Sequence, residues 1–292
     1  MRNAGLAPSL KAMSLGGTAS LTLSAEARFR YDMYDNGQLI GRNDYEQGLF
    51  RGVLGADLQV NPNLRVYGEV VTGQVAGRRS AASASMQNDA SLQQLFVDVR
   101  GYVGHSLLGA MLGRQEFADG PRQLISLSDG PNIHRTWNGA RLYAHDQRIR
   151  AGAFDLRLTR MGRGAFDEEI NSAERLRGLN ASIVAISDGT ADAYVDPFWF
   201  HSENPSFRAG NAIGEDDRDT LGVRFWGRRG DVRFDWTLAR QTGRFMDREI
   251  DAWALFAVQS VSLSNQGWRP RLTAHIDLAS GGGAYDAGKL KS

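Results

Sequence analysis

The sequence predicts an all-β protein, an antiparallel up-and-down barrel that crosses a membrane, and three observations carry the prediction. Apolar side chains return at every second position, turn-forming residues interrupt this rhythm at short intervals, and the connections alternate between short and long. Successive side chains of a strand point to opposite faces, so a two-residue rhythm describes a sheet with one apolar and one polar face. From Leu64 to Thr72, Leu64, Val66, Val70 and Thr72 share one face, while Arg65, Tyr67 and Glu69 share the other. Leu221, Val223 and Phe225 alternate in the same way with Thr220, Arg224 and Trp226, and Leu272, Ala274, Ile276 and Leu278 with Arg271, Thr273, His275 and Asp277.

Taken in order, the alternating runs place strands at roughly 20–34, 48–60, 63–74, 91–103, 106–117, 136–145, 149–161, 175–187, 191–201, 218–228, 231–243, 249–261 and 268–280, about thirteen in all. Tight-turn residues stand between alternate pairs, at Asn61-Pro62-Asn63, Gly104-His105, Asp188-Gly189-Thr190 and Gly230-Asp231 among others. The intervening connections, at 35–47, 75–90, 118–135, 162–174, 202–217 and 244–248, are longer and polar. Outer-membrane barrels show this asymmetry, with short turns at one rim and longer loops at the other. The run 106–117 has ambiguous parity because Gly109, Ala110 and Gly113 leave no clear stripe, and Pro197 would remove a ladder donor from the strand at 191–201.

Composition narrows the classes. A chain of 292 residues accommodates two ordinary domains or one large β domain. The net charge of +1 argues against nucleic acid as a partner, and among the 34 basic residues only Lys11, Lys289 and Lys291 are lysine. Arginine offers a planar fork that grips carboxylates in a bidentate way. With no cysteine, disulfides, thiol nucleophiles and cysteine-based zinc sites are excluded. The longest apolar runs, Leu107 to Leu112 and Trp253 to Val258, fall far short of the ~20 residues of a spanning helix. Barrel strands need only ~10 residues with one apolar face, which a mean hydropathy of −0.37 allows. Residues 1–19 read as a disordered or residual N-terminal segment, too rich in Ser, Gly and Thr for a signal core, and residues 20–292 as one barrel domain.

Other constellations are weaker. The string Gly283 to Leu290 misses a phosphate loop because Leu290 stands where Ser or Thr would hold magnesium. His105, His134, His145, His201 and His275 show neither metal-ligand spacing nor a nucleophile setting, so no enzyme activity, metal or cofactor is implied. The clusters Asp167-Glu168-Glu169 and Glu215-Asp216-Asp217 read as solvated loop charge. Trp199, Trp226, Trp236, Trp253 and Trp268 fit an interfacial girdle or sheet packing equally.

The longest specific string runs from Gly113-Arg114-Gln115-Glu116-Phe117 through Arg122-Gln123-Leu124 and Gly130-Pro131-Asn132-Ile133-His134-Arg135 to Asn138-Gly139-Ala140-Arg141. Together with Thr220 to Gly227 and Asp277 to Gly281, it resembles the alginate export family of outer-membrane β-barrels over roughly 20–290. The resemblance implies a monomeric 18-stranded barrel, inserted by the barrel-assembly machinery into outer-membrane lipid. An anionic polysaccharide such as alginate would then diffuse through an Arg-lined constriction. Carried onto this chain, the lumen residues are Arg114, Arg135, Arg141 and Arg224, with Glu116 as acidic neighbour. Alternation independently puts Arg141 and Arg224 on the polar face, together with Arg65 and Arg100. About thirteen strands against eighteen reads as a barrel lacking its signal peptide and C-terminal strands. The rival readings are a general or other-carbohydrate porin in the same fold, a barrel enzyme, and a soluble β-sheet binding protein.

Overall fold

Alternation over nearly the whole chain leaves little sequence free for anything but strands, and the computed structural model contains fifteen among its described residues. It describes residues 10–36, 44–77, 82–120, 122–264 and 266–281, and the backbone of 289–290. The strands are β1 (Met13–Gly16), β2 (Ala19–Tyr34), β3 (Tyr45–Asn61), β4 (Leu64–Ala76), β5 (Asn88–Val103), β6 (Ser106–Gln115), β7 (Trp137–His145) and β8 (Ile149–Arg160). They continue with β9 (Glu169–Ser187), β10 (Ala191–Ala209), β11 (Ala212–Arg229), β12 (Val232–Phe245), β13 (Arg248–Ser262), β14 (Arg271–Ala279) and β15 (Lys289–Leu290). Strands β1 to β14 are neighbours in sequence order, a pure up-and-down meander, and β15 pairs in parallel with Glu249 and Ile250 of β13.

All thirteen expected strands are present, and two expectations need correction. The stretch 1–19, read as a disordered or residual segment, includes β1, which pairs antiparallel with the start of β2 through Met13↔Leu21 and Ser14↔Ser20. The long polar loop expected at 202–217 is instead strand: β10 and β11 run on as one ladder to Ala209↔Ala212, closing on Gly210 and Asn211. A small apolar cluster explains the extension, because Phe207, Ala209 and Ala212 pack against buried Phe245 and Ile250. Pro197 is tolerated because the β9–β10 ladder passes from Val195↔Ile183 to Phe198↔Asn180, leaving Asp196 and Pro197 without partners on that side. Near 106–117, exposed Leu108 and Leu112 fix the parity that the glycines obscured. The Gly283–Gly288 string lies outside the described residues.

Contacts divide the chain into two units. The first comprises Met1–Gly101, Gly109–Ala140 and Arg157–Ser172; the second comprises Tyr102–Leu108, Arg141–Leu156 and Ala173–Ser292. In the first unit, Leu23, Phe29, Met33, Leu54, Leu95, Val97, Val99 and Leu112 are exposed, while polar Gln47, Asn88, Ser91, Gln93 and Asp98 are buried. In the second, Leu142, Leu179, Leu221, Phe225, Trp236, Leu238, Trp253 and Ile276 are exposed in the same way. Apolar area left in water costs ~25 cal/mol per Å², so continuous bands of this kind mark faces whose solvent is not water. Polar side chains fill the opposite faces, which inverts a soluble sheet and matches a membrane barrel wall.

Candidate functional site

The polar face of the first unit carries a folded segment, residues 116–136, which connects β6 to β7. Its anchor is Asn132, whose side-chain amide donates to the carbonyls of Phe50 at 2.6 Å, Met86 at 3.2 Å and Gln74 at 3.4 Å. Neighbouring Ile133 is almost fully buried. Its side chain lies so close to Gly73 that a Cβ there would approach it to 3.0 Å. The Ile133 backbone N–H donates to Ser85 at 2.8 Å, and Arg30 reaches the Gly130 carbonyl at 3.0 Å. Buried backbone carbonyls need donors, and this segment supplies them from side chains where no strand can.

A charge network ties the segment to the wall. The Arg51 guanidinium donates to Glu26 Oε1 at 2.5 and 3.1 Å and to the Asn132 carbonyl at 3.4 Å. Its Nη1 also lies 3.0 Å from His134 Nε2. His134 Nδ1 lies 2.7 Å from Glu116, which also accepts from Gln93 at 3.2 Å. Asp129 approaches His134 Nε2 at 3.0 Å. Burial pushes the Glu116 carboxyl up, but the hydrogen bonds from His134 and Gln93 and the Arg51 charge outweigh it and leave it below the usual carboxylate value. The group borders an open pocket of about 150 Å³, lined by Glu26, Arg51, Glu69, Gln93, Glu116 and His134 among others.

Arg114 is bound elsewhere. Its guanidinium forms a 3.0 Å pair with Glu168, the side chains only 11% and 4% exposed, and donates to the Leu92 carbonyl and Asn138 at 2.9 and 3.0 Å. Glu168 in turn accepts from the Leu92 N–H at 2.5 Å. The acidic run Asp167-Glu168-Glu169 is therefore not simply solvated. Residues 163–168 lie beside the start of β5, with Phe166 N–H on Ala90 and Asp89 N–H on Arg163, and Glu168 closes that junction. Arg135 is exposed and has no side-chain partner among the described residues. Arg65 grips Asp57 through two hydrogen bonds of 2.7 and 3.0 Å and lies over the rings of Tyr67 and Phe96. Arg100 binds the Pro62 carbonyl and Gln59 at 3.2 and 3.3 Å, which fastens the 61–63 turn.

In the second unit, Arg224 is held between two carboxylates. It donates to Asp235 at 2.6 and 2.7 Å and to Asp196 at 3.4 Å, and stands 4.9 Å from the Trp226 ring centre. Arg141 is half-buried on the polar side of β7, opposite exposed Leu142. Asp216, expected to be solvated, is buried against Arg218 at 2.9 Å. Buried Phe154, Phe198 and Phe200 lie flat beside Gly178 and Gly222, where an added Cβ would meet Phe rings at 2.5 and 2.3 Å.

The structure thus gathers Glu116 with Arg51 and His134, and gives Arg114, Arg65, Arg100 and Arg224 separate partners. Asn132 and His134 lie in the motif already singled out in the sequence; Glu26, Arg51 and Gln93, as wall residues, carried no signal beyond their parity. Among the described residues no three His, Asp or Glu side chains are placed to hold a metal ion.

An antiparallel meander with no helix among the described residues, one lipid-suited face and one polar face is the wall of an outer-membrane β-barrel of the porin class. Solved structures share this fold. A BenF-like porin from Pseudomonas fluorescens Pf-5 matches with a TM-score of 0.52 at 11% identity, over 90% of this chain and 83% of its own. Pseudomonas putida OprB, in its high-pH structure, matches with a TM-score of 0.50 at 9% identity, over 84% and 75%. No curated protein matches the sequence. The alginate export family model matches residues 19–292, and the chain belongs to that family.

Proposed function

We propose that the polar face lines a water-filled passage for an anionic polysaccharide of the alginate type, and that residues 116–136 narrow it. The observation that carries this reading is the segment itself, seated on the polar face through Asn132 and the Arg51–His134–Glu116 network. Around it, Arg28, opposite Arg51 in the β2–β3 ladder, and Arg135 have no ion-pair partner among the described residues and can each take a substrate carboxylate. The paired arginines support weak, serial binding. Exposed ion pairs contribute only ~0–1 kcal/mol, so a passing carboxylate can share a guanidinium with its resident Asp and leave again.

The test is ion selectivity in planar bilayers with competition by oligouronates and by neutral oligosaccharides. Anion preference that falls in Arg135→Ala and Arg141→Ala, and current block by oligouronates alone, are expected. Equal block by neutral sugars points to a general carbohydrate porin, and an absence of anion preference overturns the reading.

A further inference from the structure

A second feature of the polar face lies in the other unit, beside the short turns at 188–190 and 230–231. A groove of about 390 Å³ opens there across β10 to β13, lined by Asp192, Tyr194, Trp226, Arg228, Arg233 and Asp235 among others. The ladder places these side chains together: Asp192↔Arg228↔Arg233 form one row and Tyr194↔Trp226↔Asp235 the next. All six occupy the face opposite exposed Leu221, Phe225, Trp236 and Leu238. The groove therefore belongs to the polar face and begins within three residues of the strand ends.

Its chemistry is unlike the rest of that face. Tyr194 and Trp226 stack with ring centres 4.2 Å apart and planes 15° from parallel. The stack is held rigidly, since the Trp226 indole N–H donates to Asp196 at 2.6 Å, and Asp196 also accepts from Arg224, which stands 4.9 Å from the ring centre. At the rim, Arg228 is paired with Asp192 at 2.7 Å, whereas Arg233 is exposed and has no partner among the described residues. A pre-formed aromatic wall, one uncommitted guanidinium and carboxylates at the edge together suit a pyranose that carries an acid group. The aromatic wall takes its apolar C–H face, the guanidinium takes its carboxylate in a bidentate contact, and the aspartates accept from its hydroxyls. The volume falls in the range of ~300–1,000 Å³ typical of small-molecule sites.

We propose that this groove is a saccharide subsite at the short-turn rim, binding acidic pyranose units by stacking on Tyr194 and Trp226 and by a carboxylate contact with Arg233. It rests on the polysaccharide reading of the polar face and adds a place where the chain is first held. The test is isothermal titration of the detergent-folded protein with an oligouronate and with its neutral, carboxyl-reduced counterpart, in parallel with bilayer flux of the same oligouronate. Tyr194→Ala should weaken binding of both oligosaccharides about tenfold. Arg233→Ala should weaken the oligouronate alone, bringing it to the affinity of the neutral form. Trp226→Phe keeps an aromatic wall, so it should retain affinity while abolishing any saccharide-induced change in tryptophan fluorescence. Unaltered affinity in folded Tyr194→Ala and Arg233→Ala, or no binding by the unmutated protein, overturns the subsite. Flux that persists in that case leaves the transport reading standing, and loss of oligouronate flux overturns the transport reading itself.

Discussion

The two units use the same alternation to opposite ends. In the first, long connections turn back: residues 116–136 settle on the polar face, residues 163–168 flank β5, and Gln93, Gln115, Asn132 and Thr136 become buried. In the second, the corresponding connections shrink to Gly210-Asn211 and Met246-Asp247, and the strands run on as a hairpin ladder capped by Phe207, Phe245 and Ile250. Its polar face is crossed by partly exposed Arg–Asp pairs, such as Arg224 with Asp235 and Arg175 with Asp155. A connection folds inward where its side chains can satisfy buried carbonyls, and is replaced by strand where apolar cross-strand contacts continue the ladder. Polar groups in the first unit are therefore structural anchors, and many of those in the second are exchangeable.

That contrast can be broken most sharply at Glu168. Glu168→Gln leaves the Arg114 guanidinium buried without its counter-charge, at an expected cost of ~3 kcal/mol or more, read as a lower midpoint in denaturant unfolding from micelles. Asn132→Ala removes a donor from three carbonyls and should cost ~1–3 kcal/mol, with bilayer conductance rising as the 116–136 segment loosens. In the second unit, Asp235→Asn should cost no more than ~1 kcal/mol, because Asp196 still holds Arg224. A loss as large as that of Glu168→Gln would erase the distinction between the units.

The smallest effect is expected at the Asp188 turn. Its carboxylate accepts from the Thr190 hydroxyl and from the backbone N–H groups of Ala191 and Thr190, which holds its pKa below the usual aspartate value. A lowered native pKa adds stability above the unfolded value and loses it as pH falls through the native one. Amide exchange at Thr190 and Ala191 should therefore quicken only in acid below the ordinary aspartate range, and Asp188→Asn should remove that dependence.

Much of the wall was legible because burial in lipid and exposure to water impose a period of two that no helix shares. Leu64 to Thr72 and Leu221 to Phe225 declare their faces from sequence, and the expected strands agree with the structure to within a few residues except where polar hairpins lengthen them. The extension at 202–217 was hidden because Glu203, Asn204, Asp216 and Asp217 look like loop, while the contacts that stabilise it join residues as distant as Phe207 and Phe245. Arg114 and Arg224 were recognisable as notable arginines, but their roles depend on Glu168 and on Asp196 with Asp235.

The sequence by itself determined an all-β meander, its strand order and the face on which each wall side chain stands, because alternation and turn chemistry are local properties of the chain. Only the tertiary structure decided which connection folds onto the polar face, which arginines are clamped by carboxylates, and where Tyr194 and Trp226 stack beside an uncommitted Arg233. Those outcomes depend on register between strands and on hydrogen bonds across as many as 100 positions, as between Arg30 and Gly130. No local pattern encodes them.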